Sequence, residues 1–362
     1  MPRTEVKPIP VEMKKGTRPG TGGSDRRGDW RWQLAARFRT LDEIPPFIAL
    51  DRNETEALKA VLAAYPLAVT PYYASLIEAD SPADPIRRQC IPDIREIQED
   101  PQVSEDPLGE GDHSPVPGLI HRYSDRCLVL VTNVCPVLCR HCNRKRLWRR
   151  RAWVLTAARL RQIKSYIAAR SGIREVILSG GDPLTLPDES LARLLHAFQE
   201  IPHVEVIRIG SRAPVTLPMR VTEDLCNLLR RFRPLWFNTQ FNHPRELTPE
   251  AAQACERLVS VGIPVSNQSV LLKGVNDDIE TMRDLLYGLQ RLSVRPYYLF
   301  HPEPVKGTGH FRVEIEKGVR MMERLRREIS GLCLPRYVLD TPGALGKIPI
   351  NGGARSTTCD FL

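Results

Sequence analysis

Three cysteines, Cys135, Cys139 and Cys142, stand in a Cys-x3-Cys-x2-Cys run just after Thr132-Asn133-Val134. Thiolates this close repel one another unless a cation compensates them, so the spacing points to a metal ion or a cluster. A structural zinc site would need a fourth ligand nearby. His141 adjoins Cys142 and is awkward in that role, and the next cysteine in the chain is Cys226. Three ligands suit a [4Fe–4S] cube that leaves one iron open for substrate chemistry, whereas four cysteines close every iron. The remaining six cysteines are scattered singly, and Cys127 and Cys255, among apolar or helix-forming residues, read as small buried hydrophobes.

Other residues are less specific when taken alone. Gly180-Gly181-Asp182 closes an apolar run, where glycines permit close backbone approach but where a plain strand-to-loop turn would look the same. Lys347 follows Gly343-Ala344-Leu345-Gly346, which lacks the spacing and the Ser or Thr of a phosphate-binding P-loop. The basic run Arg140 to Arg151 reads mostly as a solvated charge cluster.

The elements that must position these residues are regular. From Arg126 onward, short β-rich runs alternate with helix-length amphipathic stretches: Cys127–Thr132, Glu175–Gly180, Glu205–Ser211, Leu235–Phe241, Pro264–Leu272 and Arg295–Phe300. After the first, their starts lie about 30 residues apart, the length of one βα unit, so parallel strands are expected. Thr156, Thr222 and Thr248 stand where helices should begin. Six serial βα units fit a barrel-like or a doubly wound sheet, and both place function at the carboxyl ends of the strands. Upstream, Trp30 to about Glu96 has helical spacing, with a helix expected over Glu54–Ala64 and a Pro-started helix over Tyr72, Tyr73, Leu76 and Ile77. Residues 97–118 read as a connecting loop and residues 1–29 as a flexible basic tail.

Composition sets the outer limits. With 362 residues, 42% of them hydrophobic and 26% charged, the chain is long enough for a large core and is neither fibrous nor disordered as a whole. No apolar run approaches the roughly 20 residues of a spanning helix, and no signal-peptide core stands near the start, so a cytoplasmic protein without membrane association is expected. Nine cysteines, an odd count, are too sparse for a disulfide scaffold. The formal charge of +9 would suit anionic partners, but with 6% aromatic residues no base-stacking face stands out and nucleic acid is not an expected partner.

With the cysteine run as its anchor, the sequence resembles the lysine 2,3-aminomutase family of radical S-adenosylmethionine (SAM) enzymes. The likeness is carried by Trp30–Gln33, Asp106–Glu110, His121–Arg126, Cys135–Arg146, Ser179–Leu184, Arg208–Arg212, Phe241–Pro244, Asn267–Leu272, Arg295–Tyr298 and Asp340–Lys347. The resemblance implies a partial (β/α)6 radical SAM barrel over residues 119–349, with a helical N-terminal region and connecting loop over 30–118 and a short C-terminal tail over 350–362. It implies that Cys135, Cys139 and Cys142 hold the cluster, and that Gly180, Gly181, Asp182 and Gln268 meet SAM. Lys347 matches the lysine that bonds covalently to pyridoxal phosphate (PLP), with Arg122, Tyr123 and Arg126 near the phosphate. Arg144 falls where the substrate α-carboxylate binds, and Asp340 is one of two acids for a side-chain ammonium.

The second acid position holds Glu303, and Phe300 replaces a tyrosine expected in lysine enzymes. The implied reaction is a radical 1,2-amino shift from the α to the β carbon of a cationic amino acid, lysine first, with SAM as a cofactor. Arginine, ornithine or a protein-bound lysine, as in elongation-factor β-lysylation, are the alternatives. An electron donor such as flavodoxin or ferredoxin and a possible homodimer complete the implied partners. The zinc assembly of longer family members is not expected, because its barrel position holds Asp278 and the tail carries only Cys359.

Overall fold

The computed structural model describes residues 26–48, 50, 52–79, 81–342 and 346–351. Most of the expected N-terminal tail, residues 343–345 and the tail with Cys359 lie outside the described residues. A 3-10 turn forms at Arg26–Gly28 and Asp29 caps the next helix, ahead of the Trp30 boundary. Ile350, assigned to the tail, is buried and donates its N–H to the Tyr337 carbonyl.

Among the described residues the N-terminal region holds the α-helices α1 (Trp30–Ala35), α2 (Arg52–Ala64), α3 (Pro71–Ala74) and α4 (Pro85–Cys90). The Pro-started helix is one turn long, shorter than its spacing predicts. Its tyrosines are held by tertiary bonds instead: the Tyr73 hydroxyl donates to Glu246 at 2.6 Å and the Tyr72 hydroxyl lies 2.6 Å from that of Thr248.

Among the described residues nine strands follow in one sheet, in chain order: β1 (Leu119–Tyr123), β2 (Arg126–Thr132), β3 (Glu175–Gly180), β4 (Val206–Gly210), β5 (Leu235–Thr239), β6 (Val265–Val270), β7 (Arg295–Phe300), β8 (Arg336–Asp340) and β9 (Lys347–Pro349). Strands β2 to β8 are parallel, while β1 and β9 pair antiparallel at the two edges. The six expected strands are β2–β7. Strand β1 escapes the 30-residue count because a two-residue connection and not a helix joins it to β2, and β8 because it begins 41 residues after β7.

Helices α5 (Ala157–Ala168), α6 (Asp188–Gln199), α7 (Ala213–Thr216), α8 (Glu223–Arg230), α9 (Pro249–Ser260), α10 (Ile279–Arg291) and α11 (Ile315–Glu328) connect the parallel strands. Thr156, Thr222 and Thr248 cap α5, α8 and α9, each hydroxyl accepting a backbone N–H three residues on. Asp278 caps α10, accepting from the Thr281 N–H.

Side-chain alternation along each strand separates two environments. Val176 and Leu178 of β3, and Ile207 and Ile209 of β4, join Ile163, Leu191 and Leu195 of the helices in one apolar core, which also takes in Tyr73, Ile86 and Cys90 of the N-terminal region. The alternate residues, Ile177 and Ser179 of β3 and Arg208 and Gly210 of β4, face a cavity of about 360 Å³. Cys90, Cys127, Cys226, Cys255 and Cys333 are buried free thiols, as expected of the scattered cysteines. No helix among the described residues is long and apolar enough to cross a membrane.

Candidate functional site

The loop between β2 and the 3-10 turn at Lys145–Arg149 carries the cysteine triplet, and all three thiols line the cavity. N-terminal backbone clamps this loop: the Leu138 N–H donates to Ala68 O at 2.9 Å, the Arg140 N–H to Gln89 O at 2.8 Å, and Arg37 reaches Cys135 O. Burial pushes the Cys135 thiol well up, and Cys142, Asp182 and Cys139 add to it through their negative charge. Cys142 rises to about 11 through burial and then Cys139. Sulfurs that oppose one another's ionisation in this way are suited to a resident cationic group. Among the described residues no three His, Cys, Asp or Glu side chains gather closely enough for one mononuclear ion. Three thiols lining one cavity suit a cluster with one iron left open.

Gly180 and Gly181 are required by the cysteine loop itself. Gly180 has φ +131°, and a Cβ there would stand 2.3 Å from Thr132 O; one on Gly181 would stand 2.4 Å from Val134 O. The Gly181 and Asp182 N–H groups donate to Thr132 O at 2.6 Å and Val134 O at 2.7 Å. The Asp182 carboxylate is buried and accepts from Leu184 N, Ser211 Oγ and Arg212 N, so it also ties the start of the β4–α7 connection to this corner. Gln268, on β6, lines the cavity and makes no side-chain hydrogen bond among the described residues.

The two edges of the open sheet also meet on this cavity. Register pairs Asp340 of β8 with Lys347 of β9, and their side chains lie 3.4 Å apart. Arg122 of β1 reaches Asp340 at 3.3 Å and also donates to Thr341 O, while the Tyr123 hydroxyl donates to Asp340 at 3.5 Å. Arg126 stacks over the Tyr123 ring at 3.8 Å. The Lys347 ammonium faces the rings of Tyr123, Tyr298 and Phe300 at 5.4 to 5.9 Å. Glu303, just past β7, lines the same cavity, and its carboxylate makes no hydrogen bond or ion pair among the described residues. Burial pushes its carboxyl up to about 8, and Asp340 adds to the rise.

The basic run is only partly solvated: Arg149, Arg150 and Arg151 are exposed, but Arg140, Arg144, Lys145 and Arg146 are paired with carboxylates inside the fold, which corrects the reading from charge alone at those four. Arg140 is fully buried, its Nε donating to Glu96 at 2.8 Å, and the buried Lys145 reaches the same carboxylate at 2.7 Å. Arg144 is held by Glu110 through Nε at 3.0 Å and Nη2 at 2.6 Å, and Arg146 takes the other oxygen at 2.6 Å. Burial would raise Glu110, but Arg144 and Arg146 hold it down at about 2. Arg144 Nη1 stays on the cavity side, 3.5 Å from Ser179 Oγ. Glu110 is thus a site residue that sequence reasoning left without a role, although it ends the Asp106–Glu110 motif. His141 is another: it lines the cavity beside Gln240 and Asn242, and its Nδ1 is buried without a partner among the described residues.

Residues 129–286 match the Radical SAM superfamily. The chain is 44% identical to L-lysine 2,3-aminomutase of Clostridium subterminale over 322 residues, 89% of this chain and 77% of that one. A putative L-lysine 2,3-aminomutase of Aquifex aeolicus is 46% identical over 325 residues, 89% and 88% of the two chains. Glutamate 2,3-aminomutase of Clostridioides difficile is 40% identical over 329 residues, 91% and 78%. Likeness at this level over nearly the whole chain, joined to three thiols around one cavity at the strand ends, means that the chain belongs to the lysine 2,3-aminomutase family of radical SAM isomerases, enzymes of a [4Fe–4S] cluster and SAM.

Proposed function

We propose that this enzyme is a PLP-dependent 2,3-aminomutase acting on a free amino acid with a cationic side chain, lysine first. The observation that carries the reading is the meeting of Arg122 and Lys347 on Asp340, at 3.3 and 3.4 Å, on the cavity that Arg144, Glu303 and the cysteine triplet also line. When bound, the cluster and SAM supply a hydrogen-abstracting carbon radical, and PLP supplies the carbonyl that carries the migrating nitrogen.

The chain's own residues orient and shield. Cys135, Cys139 and Cys142 hold the cluster; Gly180, Gly181, Asp182 and Gln268 form the SAM side of the cavity. Lys347 holds PLP, and Arg122, Tyr123 and Arg126 form its phosphate end, where a planar, permanently charged guanidinium is well matched. Arg144, steadied by Glu110, offers Nη1 to the substrate carboxylate. Asp340 and Glu303 take the side-chain ammonium. Two acids on one closed site repel each other until a cation neutralises them, so a glutamate side chain is disfavoured here. Glu303 is one methylene longer than aspartate, which favours a shorter chain such as ornithine, or a bidentate guanidinium, as the second reading.

Residues 119–349 carry these sites in this reading, and 30–118 support the cysteine loop. A one-electron donor of flavodoxin or ferredoxin type, a cytoplasmic location and a homodimer belong to the same proposal. The test is anaerobic reconstitution with iron, sulfide, SAM, PLP and a reductant, followed by kcat/KM for lysine, arginine, ornithine, glutamate and alanine. Preference for a cationic substrate is expected, with a borohydride-trapped PLP adduct mapping to Lys347. Preferential turnover of glutamate or alanine, or trapping at Lys273 or Lys306, would overturn it.

A further inference from the structure

One buried cation contacts the cysteine triplet directly without belonging to any of the roles above. Arg212 follows β4 and is 8% exposed. Its Nη1 donates to Cys139 Sγ at 2.8 Å. Its Nε donates to Gln240 O at 3.0 Å, and its Nη2 is shared among Glu246 Oε1 at 2.6 Å, Gln89 Oε1 at 2.7 Å and the Tyr73 hydroxyl at 3.2 Å. Glu246 is fully buried and is itself fastened by the Tyr73 hydroxyl, Gln89 Nε2 and the Asn242 and His243 N–H groups. Four of the five groups that meet the guanidinium serve to aim it; the fifth is the sulfur. Among the described residues no other charged side chain donates a hydrogen bond to any of the three thiols, Cys142 Sγ receiving only the Arg144 backbone N–H at 3.3 Å.

We propose that Arg212 sets the reduction potential of the cluster by donating a charge-assisted hydrogen bond to the Cys139 ligand sulfur. It acts through Cys139 and is therefore a positioning residue. Reduction adds negative charge to the cluster and its thiolates, so a fixed positive charge and an N–H···S bond stabilise the reduced form more than the oxidised one and raise the potential. Asymmetry is a second consequence, since one thiolate of three carries this donor. Tyr73 and Gln89 lie outside residues 129–286, so part of the device that tunes the cluster is supplied by the N-terminal region.

The inference rests on the assignment of Cys139 as a cluster ligand. The experiment keeps the two apart by measuring iron content first, then an EPR-monitored redox titration of the reconstituted full-length protein without SAM. A parent protein that takes up no cluster would overturn the ligand assignment and this inference with it. With the cluster in place, Arg212→Met should make it at least tenfold harder to reduce, a drop of about 59 mV for one electron. Arg212→Lys, which returns the charge without the planar fork, should recover part of that drop. If the Met variant takes up no iron, Gln89→Leu decides: a lowered potential supports the role, and the parental potential overturns it. Parental potential in a loaded Arg212→Met protein, or failure of both Arg212→Met and Gln89→Leu to load, would make Arg212 a structural support of the loop and overturn the proposal.

Discussion

At the residue scale, the cavity works by setting charges against one another before any substrate arrives. Glu110 fixes Arg144 from behind, so one guanidinium edge is committed to the protein and the other is left toward the cavity. Glu110→Gln removes the anionic acceptor, and charge-assisted hydrogen bonds of this kind contribute about 1.5–3 kcal/mol. The expected result is a KM raised roughly tenfold or more with a smaller change in kcat, read from initial rates. Glu303 titrates in the same field. Burial, with Asp340 and Glu110 adding to it against the opposing pull of Arg144 and Lys347, raises its carboxyl from 4.5 to about 8 in the ligand-free protein. The folded state therefore keeps a proton that the unfolded chain has lost. Its contribution to stability is fully present below about pH 4.5 and is lost as pH rises through about 8. Thermal melts of the ligand-free protein should fall across that window, and Glu303→Gln should flatten the slope; an unchanged slope would contradict the assignment.

Elements decide whether those residues meet. The first parallel strand delivers the cysteine loop, and the end of β3 must pass so close to it that only glycine fits. Gly181→Ala would place a methyl 2.4 Å from Val134 O and 2.6 Å from Asn133 C, both backbone atoms with no rotamer to yield. Severalfold lower iron content after reconstitution is expected, whereas Gly331→Ala, with nothing within 4 Å of the added Cβ, should load like the parent. At the other rim, antiparallel β9 exists to set Lys347 across from Asp340, and the Arg122–Asp340 contact joins strands that no backbone ladder connects.

Over the whole molecule, the N-terminal region and the sheet share one apolar core, and the buried charges of the cysteine loop are neutralised by Glu96 from that region. Removing one partner from a buried network leaves uncompensated charge and costs about 3–5 kcal/mol. Glu96→Leu should lose stability on that scale in denaturant titration, with burial already holding Lys145 down at about 8 even beside the carboxylate. Because the core is continuous, calorimetry of the parent should give one cooperative transition; two well-separated ones would contradict the shared core.

Spacing along the chain was enough to mark the cysteine loop as a cluster candidate and to place the alternating strands and helices and the threonine caps, because each depends on residues near one another in the chain. Resemblance, not composition, singled out Lys347, Asp340 and Arg144. Long-range packing alone joins pairs far apart in sequence: Arg122 with Asp340, Arg144 with Glu110, Arg140 and Lys145 with Glu96, Arg212 with Cys139. A run of arginines and lysines looks solvated when read along the chain, since nothing local marks which of them will find a carboxylate. Burial and pairing are properties of the folded packing, where the same charges become either costly or fixed according to the partner that long-range topology brings to them.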